Sequence, residues 1–578
     1  MRRMPSRNLH ASFVALLLVL TACSSAGPAA PGGAPPASSS QGTGASAPAA
    51  RKTLTIAYVQ EPPNVEGFSG EAGRGGSGPI KYMVHDYLVQ EDDRPGYEPH
   101  LAVEAPSTDK GTWKLNSDGT MDMTWTLRPN IKWHDGTPFT SADLVFSFGV
   151  YKDPNLPSPF SSTLRLMESA AAPDPQTFTT HWAQTYPFAF QAEGLVPLPK
   201  HLLEDLYTRD KDAFVNSGYF NHDWVGLGPY RISKWDAGSQ LELTRFDDYY
   251  ATRPPFDAVN VRFIGDGNTM LANILSGAVD VVLPPSVDLG TALNLRQRWE
   301  GTGNQVIVAP TGRMHFMEIQ HRPEYAKPTN GLTNQLVRQA FVYATDRQAL
   351  VDLSTQGIGQ VADSYARPAD PFRSAVDSAV VQYPYDPARA QQLLTQAGWV
   401  KGADSVLVSQ QTGERFESEL WGRQAAGGQE REPAIVSDLW GKVGAKMTPF
   451  VIPPVRESDR EFQATLPTII ISSNLGPEEW YMARLNSRNI ASAADRWTGR
   501  NKLGYSNPRV DQLVDQLQVT IDPTQRNDLH RQLIQLETSD VAYIPLYWEV
   551  LPVLALKGVK IPPNSNRTGS NFVAWDRE

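Results

Sequence analysis

Hydrophobic positions along this chain follow two periods, one typical of strands and one typical of helices. The segment from Thr53 to Val59 alternates polar and apolar residues, which predicts a strand that Pro62 and Pro63 end. A helix is predicted from about Pro79, because a first helical turn does not need the amide hydrogen that proline lacks. The apolar positions of that helix are Tyr82, Val84, Tyr87 and Leu88. The mixture of the two periods predicts an α/β protein.

A second strand and a helix follow the same logic. Residues 123–128 predict a strand, and Asp135 with Gly136 predicts a turn. Thr140 and Asp143 then predict a capped helix start, in which Thr140 is the N-cap and Asp143 complements the helix dipole.

Two later helices are predicted from Asp-Pro pairs, since aspartate is a good N-cap and proline suits the first turn. Asp386 and Pro387 open one of them, and Gly398 ends it. Asp522 and Pro523 open the other. The apolar stripes are Leu393, Leu394 and Ala397 in the first helix and Leu529, Leu533 and Leu536 in the second.

Length and charge limit the classes of protein that the chain can represent. Its 578 residues exceed what one hydrophobic core usually holds, so two or more lobes are expected. The formal net charge is −10, and Lys and Arg form no cluster, so a nucleic-acid partner is not expected.

The single cysteine, Cys23, follows the residues Leu20-Thr21-Ala22. Ahead of it lie three arginines and the apolar run 13–20, which together are typical of a secretory signal and too short to span a bilayer. The four residues resemble the lipobox of bacterial lipoproteins, which implies a signal peptide over 1–22 and a lipid on Cys23. An ordinary signal peptide with an unmodified thiol is the alternative. Residues 24–50 are almost all Ser, Ala, Gly, Pro and Thr, so 23–50 is predicted to be a flexible, lipid-anchored stalk.

Five stretches of the remaining chain resemble, in order, the bacterial family 5 extracellular solute-binding proteins, which are the peptide, nickel and oligosaccharide receptors of ABC importers. The most specific is Trp125-Thr-Leu-Arg-Pro-Asn-Ile-Lys-Trp-His-Asp-Gly-Thr-Pro-Phe-Thr-Ser-Ala-Asp143. The others are residues 224–232 with 241–250, residues 275–280, residues 337–347 and residues 383–398.

The resemblance implies a periplasmic-binding-protein-like fold of two α/β lobes, class II and cluster C in type, with an inserted subdomain. Lobe I would comprise 51–95, 215–310 and 545–578, the insertion 96–214, and lobe II 311–544. The two crossovers between the lobes would lie near Pro310 and Pro545. Each proline could mark a hinge or could end an edge strand, and the sequence leaves both open.

No catalytic residue, metal site or cofactor is expected. H-E-x-x-H and G-x-S-x-G are absent, and a formal G-x-G-x-x-G at 73–78 is separated from its strand by a polar loop. His134 and Asp135 belong to a motif turn. Glu478 and Glu479 beside Trp480 keep one alternative open, a secreted lipid-anchored enzyme that processes glycosides or peptides.

Candidate ligand residues lie mainly in the second lobe. In the family's oligopeptide receptors, a strand ends in an aspartate that pairs with the peptide ammonium, and the best matching position here is Ser473. A serine lacks the charge that a buried ammonium needs, so capture of a free amino terminus is not expected.

Aromatic and polar residues after that strand complete the predicted site. Trp480 and Tyr481 could stack on a ligand, with Asn474 and Arg484 as polar neighbours, although core packing also explains most aromatic residues of this lobe. Ser77 and Gly78 could turn a helix amino terminus toward the cleft, and an ordinary N-cap would have the same sequence.

The resemblance also implies partners and location. The expected partners are a small peptide-like or oligosaccharide-like solute, an ABC permease with its ATPase, and the membrane through the lipid alone. The protein is expected to be a monomer outside the cytoplasm, anchored on the periplasmic side or at the cell surface. Lobe closure on the solute would signal to the permease.

Overall fold

The structure is a computed structural model that describes residues 52–66, 77–91, 96–156, 161–192, 194–423, 431–473, 478–562 and 571–578. The predicted signal peptide, Cys23 and the predicted stalk lie outside these residues. Arg51–Glu578 forms one compact unit.

Strands and helices alternate through the described residues. The strands are β1 Thr53–Tyr58, β2 Val89–Glu91, β3 Tyr97–Pro99, β4 Trp113–Leu115, β5 Met121–Thr126, β6 Met167–Asp174, β7 Thr177–Trp182, β8 Tyr230–Asp236, β9 Gln240–Arg245, β10 Ala258–Phe263, β11 Val281–Val282, β12 Gln305–Ile319, β13 Gln360–Val361, β14 Trp399–Lys401, β15 Leu407–Ser409, β16 Glu417–Arg423, β17 Lys446–Ile452, β18 Ile469–Ser472, β19 Tyr543–Ala555, β20 Val559–Lys560 and β21 Asp576–Arg577. The helices are α1 Ser77–Val84, α2 Ser141–Lys152, α3 Ser161–Leu166, α4 Lys200–Arg209, α5 Lys211–Val215, α6 Gly267–Leu275, α7 Leu289–Arg298, α8 Gln335–Tyr343, α9 Arg347–Thr355, α10 Arg373–Val376, α11 Pro387–Gln396, α12 Glu432–Lys442, α13 Arg460–Ala464, α14 Glu478–Leu485, α15 Pro508–Leu517 and α16 Pro523–Asp540.

Two long strands join the two lobes. The main sheet has the order β17-β16-β18-β12-β19-β11-β1-β10-β9-β8, so β12 and β19 stand between the strands of one lobe and those of the other. They pair antiparallel from Gln305 opposite Ala555 to Glu318 opposite Tyr543, with an irregularity between Pro310 and Met314. This arrangement confirms the predicted two-lobed α/β class.

Pro310 and Pro545 both lie inside this ladder. Pro310 is opposite Val550, and Pro545 is opposite Phe316. Neither proline ends its strand, and Pro310 stands at the irregularity where the ladder passes from one lobe to the other.

A separate four-stranded sheet, β4-β5-β7-β6, lies within the stretch predicted as an insertion, 96–214. Its inner face is built from alternating residues of β5 and β7, among which Met123, Trp125 and Phe178 are buried. The exact boundaries of the lobes and of the insertion stay a prediction.

The first strand is as predicted, but the first helix differs. Helix α1 begins at Ser77 and ends at Val84, so Tyr87 and Leu88 lie beyond it and lead into β2. The helix ends early because Gly228 packs on its last turn, where the Gly228 amide donates to the Val84 carbonyl at 3.3 Å.

That contact requires glycine at two positions of the 224–232 motif. A Cβ atom on Gly226 would lie 1.9 Å from the Val84 carbonyl oxygen, and one on Gly228 would lie 2.4 Å from the His85 nitrogen. Both clashes are with backbone atoms, which cannot move aside as a side chain can. The motif therefore encodes a close backbone approach.

His134 holds the same region together and has no free ring nitrogen. Its Nδ1 accepts from the Gly226 amide at 3.2 Å, and its Nε2 donates to the Gly228 carbonyl at 3.0 Å. Burial lowers the pKa of His134 to about 4, so the ring is neutral at pH 7. The His134-Asp135 turn is thus a structural element, as predicted.

The predicted helix starts are confirmed. The Thr140 amide donates to the Asp143 carboxylate at 2.8 Å in a capping box before α2. Asp386 accepts from the Arg389 amide at 2.9 Å before α11. Asp522 caps α16 in the same way.

Candidate functional site

A cavity of about 790 Å³ lies where segments far apart in the sequence meet. One wall comes from β2, β3, β4 and residues 187–191, and the opposite wall from residues 367–372, α14 and residues 521–530. Residues 311–313, at the irregularity of β12, form its base. The cavity therefore lies between a wall that comes mostly from the stretch predicted as an insertion and a wall from the stretch predicted as lobe II, next to β12.

Two contacts cross the cavity from wall to wall. Arg367 Nη1 lies 3.7 Å from Glu91 Oε1, and Arg526 Cζ lies 5.1 Å from the centre of the Phe188 ring. Both contacts join charged or aromatic side chains of the first wall to guanidinium groups of the second. A solute in this cavity would touch both walls at once.

Aromatic rings cover much of the lining. Phe190 packs edge to face on Tyr97 at 5.7 Å and lies 6.2 Å from Trp113. On the other wall, Phe372 stacks on His530 with ring centres 4.3 Å apart. Flat apolar surfaces of this kind bind rings and apolar side chains.

Trp480 lies in the second wall, on the first turn of α14. Arg500 lies over its ring, with Cζ 4.0 Å from the ring centre. The indole is only partly buried, so it can contact a solute as well as the arginine.

Two arginines of the second wall are tied to carboxylates. Arg367 pairs with Asp370 at 2.8 Å, and Arg526 pairs with Glu478. His530 Nε2 also lies 2.9 Å from Glu478. Burial alone would raise the pKa of Glu478, but the charges of His530 and Arg526 outweigh it and lower that pKa.

Arg313 at the base of the cavity is held by the residue that ends β18. Its Nε donates to the Ser473 carbonyl at 3.0 Å and its Nη2 to the Ser473 hydroxyl at 3.1 Å. Nε also lies 3.7 Å from Glu549. The Arg313 guanidinium therefore lies at the end of β18, at the base of the cavity.

Behind Arg313 lies a buried charged cluster on the strands that join the lobes. His315 Nδ1 is 2.8 Å from Glu432, and His315 Nε2 is 3.6 Å from Glu549. Tyr547 stacks on the imidazole at 4.4 Å and donates its hydroxyl to Glu432. Burial alone would lower the pKa of His315, but attraction to Glu432 and Glu549 raises it to about 9, so the ring is charged at pH 7.

The residues predicted from sequence do not all meet in this cavity. Trp480 lines it, and Ser473 positions Arg313 at its base. Tyr481 is in the core, stacked on Tyr365 at 3.8 Å, since neighbouring helical residues face different directions. Arg484 pairs with Glu318 at 3.2 Å beside a separate cavity of about 40 Å³.

Three predicted residues give less information. Ser77 and Gly78 are the first residues of α1, and Gly78 is not part of the lining of the large cavity. Asn474 lies outside the described residues.

Sequence reasoning missed the guanidinium groups of the cavity. Arg313, Arg367 and Arg526 belong to no motif that the chain carries, and the aromatic residues at 188 and 190 lie in a segment predicted as an insertion. Only knowledge of which segments meet could have found them.

Within the described ranges, no group of three or more His, Cys, Asp or Glu side chains could hold a metal ion. A search of the same residues finds no helix with both the length and the apolar character needed to cross a membrane.

Comparison with known proteins gives a family match over most of the chain. The model of the bacterial extracellular solute-binding proteins, family 5 Middle, matches residues 97–490. The oligopeptide-binding protein AppA of Bacillus subtilis is 22% identical over 483 residues, which is 81% of each chain. Heme-binding protein A of Haemophilus influenzae is 24% identical over 463 residues, covering 75% of this chain and 77% of that one.

Solved structures share the fold. The oligopeptide-binding protein of Thermus thermophilus, complexed with a pentapeptide, superposes with a TM-score of 0.71 at 20% identity over 91% of this chain and 96% of that one. NikZ of Campylobacter jejuni, in complex with Ni(L-His), has a TM-score of 0.71 at 21% identity over 91% and 99%. The ligands of these two proteins differ in kind, so the fold alone does not fix what is bound.

Proposed function

Because the chain belongs to the bacterial extracellular solute-binding proteins of family 5, we propose that it binds a peptide-like or other oligomeric solute between its lobes for an ABC importer. The lobes would close on the solute, and the permease with its ATPase would recognise the closed state. No covalent step is needed for this function.

The cavity between the walls carries this proposal. Its volume of about 790 Å³ falls in the range of sites that enclose most of a small ligand's surface. Its lining combines flat rings with a few charged groups, which suits a solute with both apolar and polar parts. A solute that contacts both walls gains more from the closed state than from the open one, and that difference drives closure.

A peptide recognised by its free amino terminus does not suit this cavity. The end of β18 offers a serine, and the nearest charged group to it is the Arg313 guanidinium. An ammonium placed there would meet a like charge instead of a carboxylate. The solute is therefore recognised by other groups.

The enzyme alternative has little support from the geometry. Glu478 is tied to Arg526 and His530, which lower its pKa, whereas a general acid for glycoside cleavage needs a raised pKa. The side chain of Glu479 is not described. The family match is to solute-binding proteins, and Glu478 acts here as a partner for Arg526.

The amino-terminal segment would place this receptor at the membrane. A lipid on Cys23 would anchor the mature chain, and the stalk to residue 50 would let the body reach the permease. Both features rest on the lipobox-like sequence before Cys23.

Native mass spectrometry of the purified chain tests the proposal. We expect a small solute bound one to one and released chemically unchanged on denaturation, both from the wild-type chain and from Glu478→Gln. Glu414→Gln, at a partly exposed carboxylate outside the cavity lining, is the matched control. Chemical turnover of the solute, abolished only by Glu478→Gln, would assign the protein to the enzymes.

A further inference from the structure

Two of the three arginines in the cavity lining are more exposed than its carboxylates, and the third, Arg526, is 13% exposed. The carboxylate side chains of Glu91, Asp370 and Glu478 are only 10%, 8% and 19% exposed, because arginines cover them. The side chains of Arg313 and Arg367 are 46% and 33% exposed. A solute in the cavity therefore meets guanidinium groups more than carboxylates.

Arg313 is the most open of these groups and is also fixed in orientation. Ser473 accepts from its Nε and its Nη2, which sets the plane of the guanidinium. In the part of the chain that the structure describes, its Nη1 has no hydrogen-bond partner. An arginine held at one edge and open at another can offer a paired set of donors to a ligand.

Glu549 does not cancel this charge. Its carboxylate is shared, since Thr311 donates to it at 2.8 Å and His315 lies 3.6 Å from it. The Glu549 side chain is also only 10% exposed, against 46% for that of Arg313, and it is not part of the cavity lining. Arg313 can thus bind an anion of the solute.

We infer that Arg313, oriented by Ser473, binds a carboxylate of the solute, so that the receptor selects carboxylate-bearing molecules with an apolar or aromatic part. The inference rests on the proposed function and specifies its substrate class. A carboxylate matches the planar fork of one guanidinium, and the rings beside it accommodate the apolar part. The carboxylate can come from a peptide carboxyl terminus, an acidic side chain or a non-peptide acid.

Equilibrium dialysis with defined pools tests the inference and separates these sources. The base pool is a mixed-sequence pentapeptide library without charged residues, acetylated at one end and amidated at the other. Three further peptide pools each change one feature of the base pool: a free carboxyl terminus, a free amino terminus or a central glutamate. A fourth pool contains aromatic monocarboxylic acids, which are compared with their own amides.

We expect at least one carboxylate pool to be retained about tenfold more than its uncharged match, as measured by mass spectrometry, since a bidentate charged pair is a strong contact. Equal retention of every carboxylate pool and its uncharged match would overturn the inference. Preferential retention of the free-amine pool, or retention of no pool at all, would overturn it too.

Variants of the two residues check that the selectivity comes from this site. Arg313→Gln should lower carboxylate retention about tenfold. Ser473→Asp keeps the arginine but places a carboxylate against it, so it should lower the same retention and raise that of the free-amine pool. Ser473→Ala removes the hydroxyl that accepts from Nη2 but keeps the backbone carbonyl that accepts from Nε, so it should lower carboxylate retention, though less than Ser473→Asp does.

Arg415→Gln is the matched control, because Arg415 is an exposed arginine paired with Asp404 and lies outside the cavity lining. It should leave retention unchanged. The melting temperature of each variant shows whether it folds. If Arg313→Gln does not fold, the result for Ser473→Asp still decides whether carboxylate retention depends on this site.

The dialysate of a bacterial cell extract, which contains its small molecules, provides a test that distinguishes failure of this inference from failure of the proposed function. If a component of the extract is retained while no carboxylate pool is, the inference fails and the proposed function stands. If nothing is retained from the extract or the pools, both fail.

Discussion

The charged cluster between the lobes predicts an unusual loss of stability in mild alkali. His315 has a pKa of about 9 in the folded protein, against 6.5 when exposed, because Glu432 and Glu549 outweigh the effect of burial. A raised pKa means that the folded state holds the proton more tightly. Its stabilisation is therefore complete below pH 6.5 and is lost as the pH rises through 9.

The size of the effect follows from the shift. The rise in the pKa of His315 from 6.5 to about 9 on folding corresponds to about 3 kcal/mol of unfolding free energy. About 2 kcal/mol of this stabilisation should be lost between pH 7 and pH 9.5. The raised pKa of Tyr547 changes the stability only at pH values above this window, and the lowered pKa of Glu549 changes it only below the window.

Urea unfolding at several pH values between 7 and 9.5, followed by tryptophan fluorescence, measures this loss. His315→Gln should be less stable than wild type at pH 7 by about 3 kcal/mol, because it leaves Glu432 and Glu549 buried without their cation. The gap between the two proteins should close as the pH rises. Parallel pH profiles of wild type and His315→Gln would refute the reasoning.

His321→Gln provides the matched control. His321 is a partly buried histidine on the same stretch of chain, and desolvation lowers its pKa to about 3, so it is neutral across the whole window. Its replacement can change stability but should not change the slope with pH.

Three further variants test separate parts of the account. Trp480→Ala should weaken solute binding by about 1 to 3 kcal/mol with little change in unfolding free energy. Trp440→Ala, in the core, should instead lower the unfolding free energy by about 3 to 5 kcal/mol. A large loss of stability in Trp480→Ala without a loss of binding would show that Trp480 is a core residue. Gly228→Ala should prevent normal folding because its Cβ meets the His85 backbone, while Gly149→Ala, which meets nothing within 4 Å, should fold normally; equal melting temperatures would contradict the close approach. Cys23→Ser should lack a lipid mass and leave the detergent phase, and a wild-type chain that is itself unmodified and aqueous would rule out the anchor.

The residues that made the fold predictable are mostly structural. Gly226 and Gly228 allow a close backbone approach, and His134 bridges them. Asp386 and Asp522 cap helices, as their Asp-Pro pairs indicated. Helix caps depend on neighbouring residues, and the close backbone approach depends on residues within the family motifs. Both kinds of feature can therefore be predicted from the sequence.

The binding cavity was far less predictable. None of its lining residues falls in the five stretches that resemble the family, and the lining combines segments hundreds of residues apart, such as Glu91 and Arg367. Tyr481 illustrates the difficulty, since it adjoins Trp480 in sequence but faces the core. The direction in which a helical side chain points depends on how the helix packs, and the composition of the segment does not predict that packing. Two signals were useful: Trp480, which lines the cavity, and the placement of Ser473 after a buried strand, whose meaning depended on Arg313.

Small-angle X-ray scattering of the purified chain, with and without the solute identified by native mass spectrometry, measures whether the lobes close on the solute. We expect a smaller radius of gyration with the solute, because a molecule that touches both walls of the cavity favours the closed lobes. A saturating solute that leaves the radius of gyration unchanged would contradict binding between the lobes with closure.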